Sequence, residues 1–285
     1  MLMWQNVIKY KQIILEVSNM KENSQEKYME IIRQLVDLGA YSTNTLNEVL
    51  QLAVEGGYTE LVKFLIERGA DVTADDNQAI IIAAKGGNNE VIELLLEKGA
   101  DVEARHNLVI YRAIQSGKIE VVKLLLEKGA NLAECYTVDL LLSAVEIGNK
   151  EVVEVLLENG ADVTELLPYE LLESPVNCGN IGLVKLLIEH GVVETDCFSL
   201  ILDAINGGYE KVVKILIKYA DEETKKDKGL LEAAIENKNL KIIKILLENG
   251  ADIELLKQKD MQLALLYDPN IILKDIIKYL STSIN

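Results

Sequence analysis

Residues able to act as nucleophiles, metal ligands or near-neutral acid–base groups are few in this chain: His106 and His190, and Cys135, Cys178 and Cys197. A zinc site needs three or four such ligands brought together, and a catalytic thiol needs a base beside it. Neither histidine has a cysteine or a second histidine at metal-ligand spacing. His190 stands just before Gly191, in a position filled elsewhere by Arg68, Lys98, Lys128, Asn159 and Asn249. A cation or amide at a helix C-terminus meets orphan carbonyls there, so His190 reads as structural. His106 stands at the start of another helix beside a loop tip. The odd number of cysteines is no disulfide framework and suits a reducing cytosol or nucleus. Glycine pairs at 56–57, 86–87 and 207–208 lack the following Lys-Ser/Thr of a phosphate loop. Two carboxylates at the right separation could hydrolyse a glycoside, yet the acidic residues fall on exposed helix positions, as a solvated face requires. The expectation is a protein that is not an enzyme, with no catalytic residue, no metal and no cofactor.

These residues are positioned by a repeat. The phrase EVVKLLLEKG ending at Gly129 returns as LVKFLIERG at Gly69, VIELLLEKG at Gly99, VVEVLLENG at Gly160, LVKLLIEHG at Gly191 and IIKILLENG at Gly250. Glycines 39, 69, 99, 129, 160 and 191 are 30, 30, 30, 31 and 31 residues apart, and the 59 residues from 191 to 250 hold two more repeats. Apolar residues at i, i+1, i+4 and i+5 (Val121, Val122, Leu125, Leu126) make one buried stripe of a short outer helix. The closing glycine supplies a left-handed residue, which a Cβ resists by roughly 1 kcal/mol. Upstream lies an inner helix with a small residue at a fixed place: Ala53, Ala83, Ala113, Ala144, Ala204, Ala234. It allows close helix packing. Pro175 takes that place in one repeat and is expected to shorten or kink a helix running from Pro168 to about Ser174. Ala220 replaces a helix-ending glycine, which predicts the loosest loop over 218–226 and earliest opening within 168–227.

The stretch from Ala83-Ala84-Lys85-Gly86-Gly87 to Gly99-Ala100-Asp101-Val102 resembles the helical part of the ankyrin repeat, and the likeness covers about residues 40–256. The resemblance implies an all-α ankyrin-repeat solenoid of stacked antiparallel helix pairs that binds other proteins on a concave face. The family's Thr-Pro-Leu-His start is absent, and the fingers are about three residues short. Short loops are therefore expected in place of long β-hairpin fingers. Such short repeats are similar to ankyrin proteins of giant DNA viruses and intracellular bacteria. The organisation expected is an N-terminal capping helix pair over 1–40, seven repeats over 41–256 and a C-terminal capping pair over 257–285, all in one continuous solenoid. An amphipathic membrane anchor is the alternative for the N-terminal segment. The segment Pro269–Leu280 loosely resembles the opening of an F-box-like tail, which would make the chain an adaptor recruiting a ubiquitin ligase.

A net charge of −17, from 46 acidic against 29 basic residues, opposes direct binding to nucleic acid or to an anionic membrane. It favours a partner protein with a basic patch, or lets the acidic face mimic nucleic acid and block a protein that binds it. The longest uninterrupted apolar run, Ala79 to Ala84, is too short to span a membrane. A monomer inside the cell is expected, cytoplasmic or nuclear, in a host cell if the chain is a viral or bacterial effector.

A binding site is sought where repeats disagree while the core repeats faithfully. One inner-helix column reads Gln51, Ile81, Tyr111, Leu142, Glu173, Leu202, Glu232; the next reads Leu52, Ile82, Arg112, Ser143, Ser174, Asp203, Ala233. At the helix ends stand Glu55, Lys85, Gln115, Glu146, Asn177, Asn206 and Glu236, followed by the unusual Ile147 and Cys178. Loop tips turn apolar in the middle repeats, with Tyr136, Leu166, Leu167 and Phe198. The candidate partner-binding residues are therefore Tyr111, Arg112, Tyr136, Glu146, Ile147, Leu166, Leu167, Asn177, Cys178 and Phe198. An apolar centre with an acidic rim is the anatomy of a protein-binding hot spot. Alternatively, some of these side chains turn inward to close the shortened loops.

Overall fold

The computed structural model describes residues 32, 33, 36, 43–132, 137–163, 166–192 and 197–252. Tyr136, the C-terminal capping pair and the ligase-like segment lie outside these residues, as does nearly all of the N-terminal capping pair. Among the described residues there are fifteen helices and no strand. The fold class is that of an all-α ankyrin-repeat solenoid with short loops. By internal contacts the chain divides into two compact units, one of residues 1–143 with 158–161, the other of 144–157 with 162–285.

The first unit contains α1 (Thr43–Glu55), α2 (Thr59–Glu67), α3 (Ala74–Gly86), α4 (Asn89–Glu97), α5 (Ala104–Gln115) and α6 (Ile119–Glu127). The division passes through the pair α7 (Thr137–Ile147) and α8 (Lys150–Glu158). The second unit continues with α9 (Pro168–Asn177), α10 (Ile181–Glu189), α11 (Phe198–Asn206), α12 (Glu210–Leu216), α13 (Glu222–Lys226), α14 (Lys228–Glu236) and α15 (Leu240–Glu248). In the first unit α3 packs between α1 and α5, and α4 between α2 and α6. In the second, α11 lies between α9 and α14, and α12 between α10 and α15. Each unit is thus an inner and an outer layer of helices, as the repeat phase predicts.

The core lies between the layers. Every alanine of the small-residue column is at most 1% exposed, and Val122, Leu125, Val153 and Leu187 are fully buried. Truncating one such leucine costs roughly 2–5 kcal/mol through lost burial and the cavity left behind. Outer helices end on left-handed glycines as expected, Gly129 having φ +97°.

The shortened fingers are built in an unexpected way. Asp75, Asp76 and Asn77 are consecutive left-handed residues, and Arg105, His106 and Asn107 repeat the turn 30 residues on. A left-handed residue with a Cβ costs roughly 1–2 kcal/mol, least for Asn and Asp. An asparagine column offsets part of that cost. Asn47 Oδ1 accepts the Asp71 amide at 2.8 Å, Asn77 Oδ1 the Asp101 amide at 2.9 Å, and Asn107 Nδ2 donates to the Asn131 carbonyl at 2.8 Å.

Two expectations are corrected. Helix α9 runs from Pro168 through the buried Pro175 to Asn177, ten residues with no non-helical residue inside, so the proline neither ends nor breaks it at Ser174. Pro175 stands in the last turn, where the Cys178 amide reaches Ser174 and the Asn180 amide reaches Pro175's own carbonyl. Its missing N–H costs a single ladder bond there. Within 218–226, expected to be loop, residues 222–226 form the short helix α13. Asp221 caps it by accepting the Thr224 amide at 2.7 Å, and Ala220 and Thr224 are buried.

Candidate partner-binding surface

Both variable inner-helix columns lie at partial exposure. Gln51, Leu52, Ile82, Tyr111, Arg112, Leu142, Ser143, Ser174, Leu202, Asp203, Glu232 and Ala233 are half-buried, Glu173 is exposed, and Ile81 alone is buried. The helix-end series Glu55, Lys85, Gln115, Glu146, Asn177, Asn206 and Glu236 is exposed throughout. The alanine column beside them is sealed. Sequence variation therefore tracks the accessible strip of the inner helices.

In the first unit, Arg112 opens onto a groove of about 420 Å³ along α1, α3 and α5 that also takes in Lys85 and Arg105. Tyr111 is half-buried in the neighbouring column. Arg112 Nη1 donates to Gln115 Oε1 at 2.8 Å, which holds the guanidinium beside a neutral partner.

In the second unit the apolar candidates fall at two places. Ile147 is 45% exposed at the end of α7, and the exposed Cys178 follows α9. The turns that carry them are tied together, since Asn180 Nδ2 donates to the Gly148 carbonyl at 3.2 Å. Glu146 and Asn177 flank this end. Leu166 and Leu167 stand at the other end of α9, ~15 Å away for a helix of this length. Leu167 is 66% exposed, with its amide held by Glu170 Oε2 at 3.1 Å, while Leu166 is half-buried. Phe198 is half-buried at the start of α11, with its ring near enough to Gly229 that a Cβ there would lie 3.5 Å away.

Sequence reasoning missed Tyr169, one of four exposed large apolar residues among those described, together with Ile147, Leu167 and Tyr219. Its hydroxyl donates to Glu173 Oε1 at 3.2 Å. Loss of solvation, then the negative charges of Glu173 and Asp203, push its ionisation above the usual phenol range. The signal available was its place one turn before Glu173 on the exposed side of α9.

His190 behaves as its column requires, with Nδ1 2.9 Å from the Leu186 carbonyl oxygen. Asn249 Nδ2 donates to Ile245 in the same way at 2.7 Å. Among the described residues no three His, Cys, Asp or Glu side chains converge as a metal site would need, and no helix is long and apolar enough to cross a membrane.

A family model for ankyrin repeats matches the chain three times, over residues 22–106, 105–166 and 174–257. No curated protein gives a significant match. The helix pairs, the left-handed glycines closing every described outer helix but α12 and these three matches agree, and the chain belongs to the ankyrin-repeat family, whose repeats are protein–protein interaction modules.

Proposed function

We propose that this protein is a non-enzymatic scaffold that holds a partner protein against its inner helices and inter-repeat loops. The observation that carries this reading is the coincidence of variability with exposure. Two adjacent inner-helix columns vary among the repeats and, Ile81 apart, are accessible, beside an alanine column at most 1% exposed. A fold that needed only its core would have no reason to vary along that strip alone.

In the second unit the inner helices α9, α11 and α14 carry Glu170, Glu173, Asp203, Glu232 and Glu236 against Lys228. With Leu167 and Tyr169 exposed beside them, this surface suits a basic patch interspersed with apolar side chains. Capture of partners from the native cell with the intact chain, and with Leu167→Glu or Asp203→Lys, tests the assignment. Either substitution is expected to abolish capture while leaving the thermal melting curve in place. Undiminished capture by both variants would reject this surface.

A further inference from the structure

We infer that the groove along α1, α3 and α5 receives an acidic peptide segment, an apolar side chain flanked by carboxylates. The inference rests on the interaction reading above and assigns a second, oppositely charged subsite to it. The chain as a whole has 46 acidic and 29 basic residues, yet this groove gathers Lys85, Arg105 and Arg112 against the single carboxylate of Glu55. The local balance is the reverse of the chain's own.

The three cations are not spent on internal ion pairs. Among the described residues Lys85 has no bonded partner, Arg112 meets the neutral amide of Gln115, and Arg105 donates to the backbone carbonyl of Asp75. The Asp75 carboxylate accepts from Gln51 Nε2 at 2.7 Å and does not line the groove. The ion pairs recorded among the described residues, such as Lys123 with Glu120 and Lys241 with Glu210, lie elsewhere. Charged donors held near a low-dielectric floor and lacking anionic partners bind a carboxylate more strongly than the same groups in open solvent.

The floor supplies the second half of the specificity. Ile81 is 5% exposed and Leu108 half-buried, and both line the same groove as the cations. A polyanion such as nucleic acid carries a charge at every phosphate and would meet the repulsion of a −17 chain along its whole length, whereas a short segment with a few carboxylates meets it only beside the groove's cations. A peptide bearing a few carboxylates around a leucine-like side chain satisfies both the rim and the floor.

The test is fluorescence anisotropy of the full chain titrated against three labelled probes: a peptide of alternating Glu and Leu, its Lys/Leu counterpart and oligo-dT. The Glu/Leu peptide is expected to bind, and Lys85→Glu and Arg112→Glu each to weaken it about tenfold, the loss of one charge-assisted contact. Glu55→Gln is expected to tighten it. Neither charge reversal should weaken the Lys/Leu peptide. Lys85 is exposed and bonded to none of the described residues, so its variant carries the test if Arg112→Glu lowers the melting temperature. Failure of the Glu/Leu peptide to bind, indifference to both reversals, or oligo-dT binding lost on the same reversals would overturn the assignment. Partner capture lost on Leu167→Glu would still stand in any of those cases, which separates this inference from the function it refines.

Discussion

Asn180 Nδ2 donates to the Gly148 carbonyl of the preceding turn at 3.2 Å while its Oδ1 accepts the Leu183 amide at 3.1 Å, so one carboxamide caps its own helix and links two repeats. Asn88 repeats the arrangement with Gly57 at 3.5 Å and Val91 at 3.1 Å. Asn180→Ala should therefore lose about 2 kcal/mol of stability, roughly half from the cap and half from the link. Asn180→Asp keeps the acceptor and loses only the donor. Urea unfolding should place its midpoint between native and alanine; coincidence with alanine would show that the cap contributes nothing.

Glycine is favoured at position 179 for two separable reasons, the Tyr209 ring and the backbone angle. A Cβ on Gly179 would fall 2.4 Å from the Tyr209 ring, and the residue has φ +65°. Gly69 has φ +91° and nothing within 4 Å of such a Cβ. Gly69→Ala is expected to cost about 1 kcal/mol and Gly179→Ala about 2–3 kcal/mol. Adding Tyr209→Ala should reduce the second effect to the size of the first in a double-mutant cycle.

Lys238 stands where the other described inter-helix turns have left-handed glycines, with φ +54°. Lys238→Gly removes the Cβ strain and adds some unfolded-chain entropy. A net gain of up to ~1 kcal/mol is expected in thermal unfolding.

Acid should undo α13 before the long helices. The backbone and side-chain hydrogen bonds of Thr224 hold the Asp221 carboxyl below its ordinary range, and Lys225 does the same for Glu222. A depressed folded pKa adds stability that is complete above the unfolded value, about 3.9 for Asp, and is lost as pH falls through the lower folded value. Amide resonances of Thr224 and Lys225 should therefore shift below about pH 4. Asp221→Asn, which retains an acceptor, should remove the part of that shift due to position 221; an unchanged titration would sink the capping account.

The repeat phase, the helix pairs, the left-handed glycines and the His190 column were legible because each recurs, and recurrence separates a packing requirement from chance. The left-handed triplets at 75–77 and 105–107 were not, because Asp-Asp-Asn and Arg-His-Asn contain no glycine; the signal was the spacing of Asn47, Asn77 and Asn107. Helix α13 was less legible because the missing glycine at 220 reads as a broken repeat, although Asp221 three residues before Thr224 is a cap pattern. At the candidate surface, column comparison found Arg112 but not its grouping with Lys85 and Arg105, which stand 27 and 7 residues away in sequence. The nearness of Phe198 to Gly229 left no mark in the sequence, because Gly229 has no side chain to pair with it.

Site-directed photo-cross-linking tests the central claim most directly. A benzophenone amino acid placed at Leu202, on the variable strip of α11, is compared with one at Lys214, exposed on α12 in the outer layer. In the native cell, position 202 is expected to yield a discrete adduct with one partner protein, lost on Leu167→Glu, and position 214 none. An adduct from 214 alone, or the same adduct from both, would contradict binding on the inner helices.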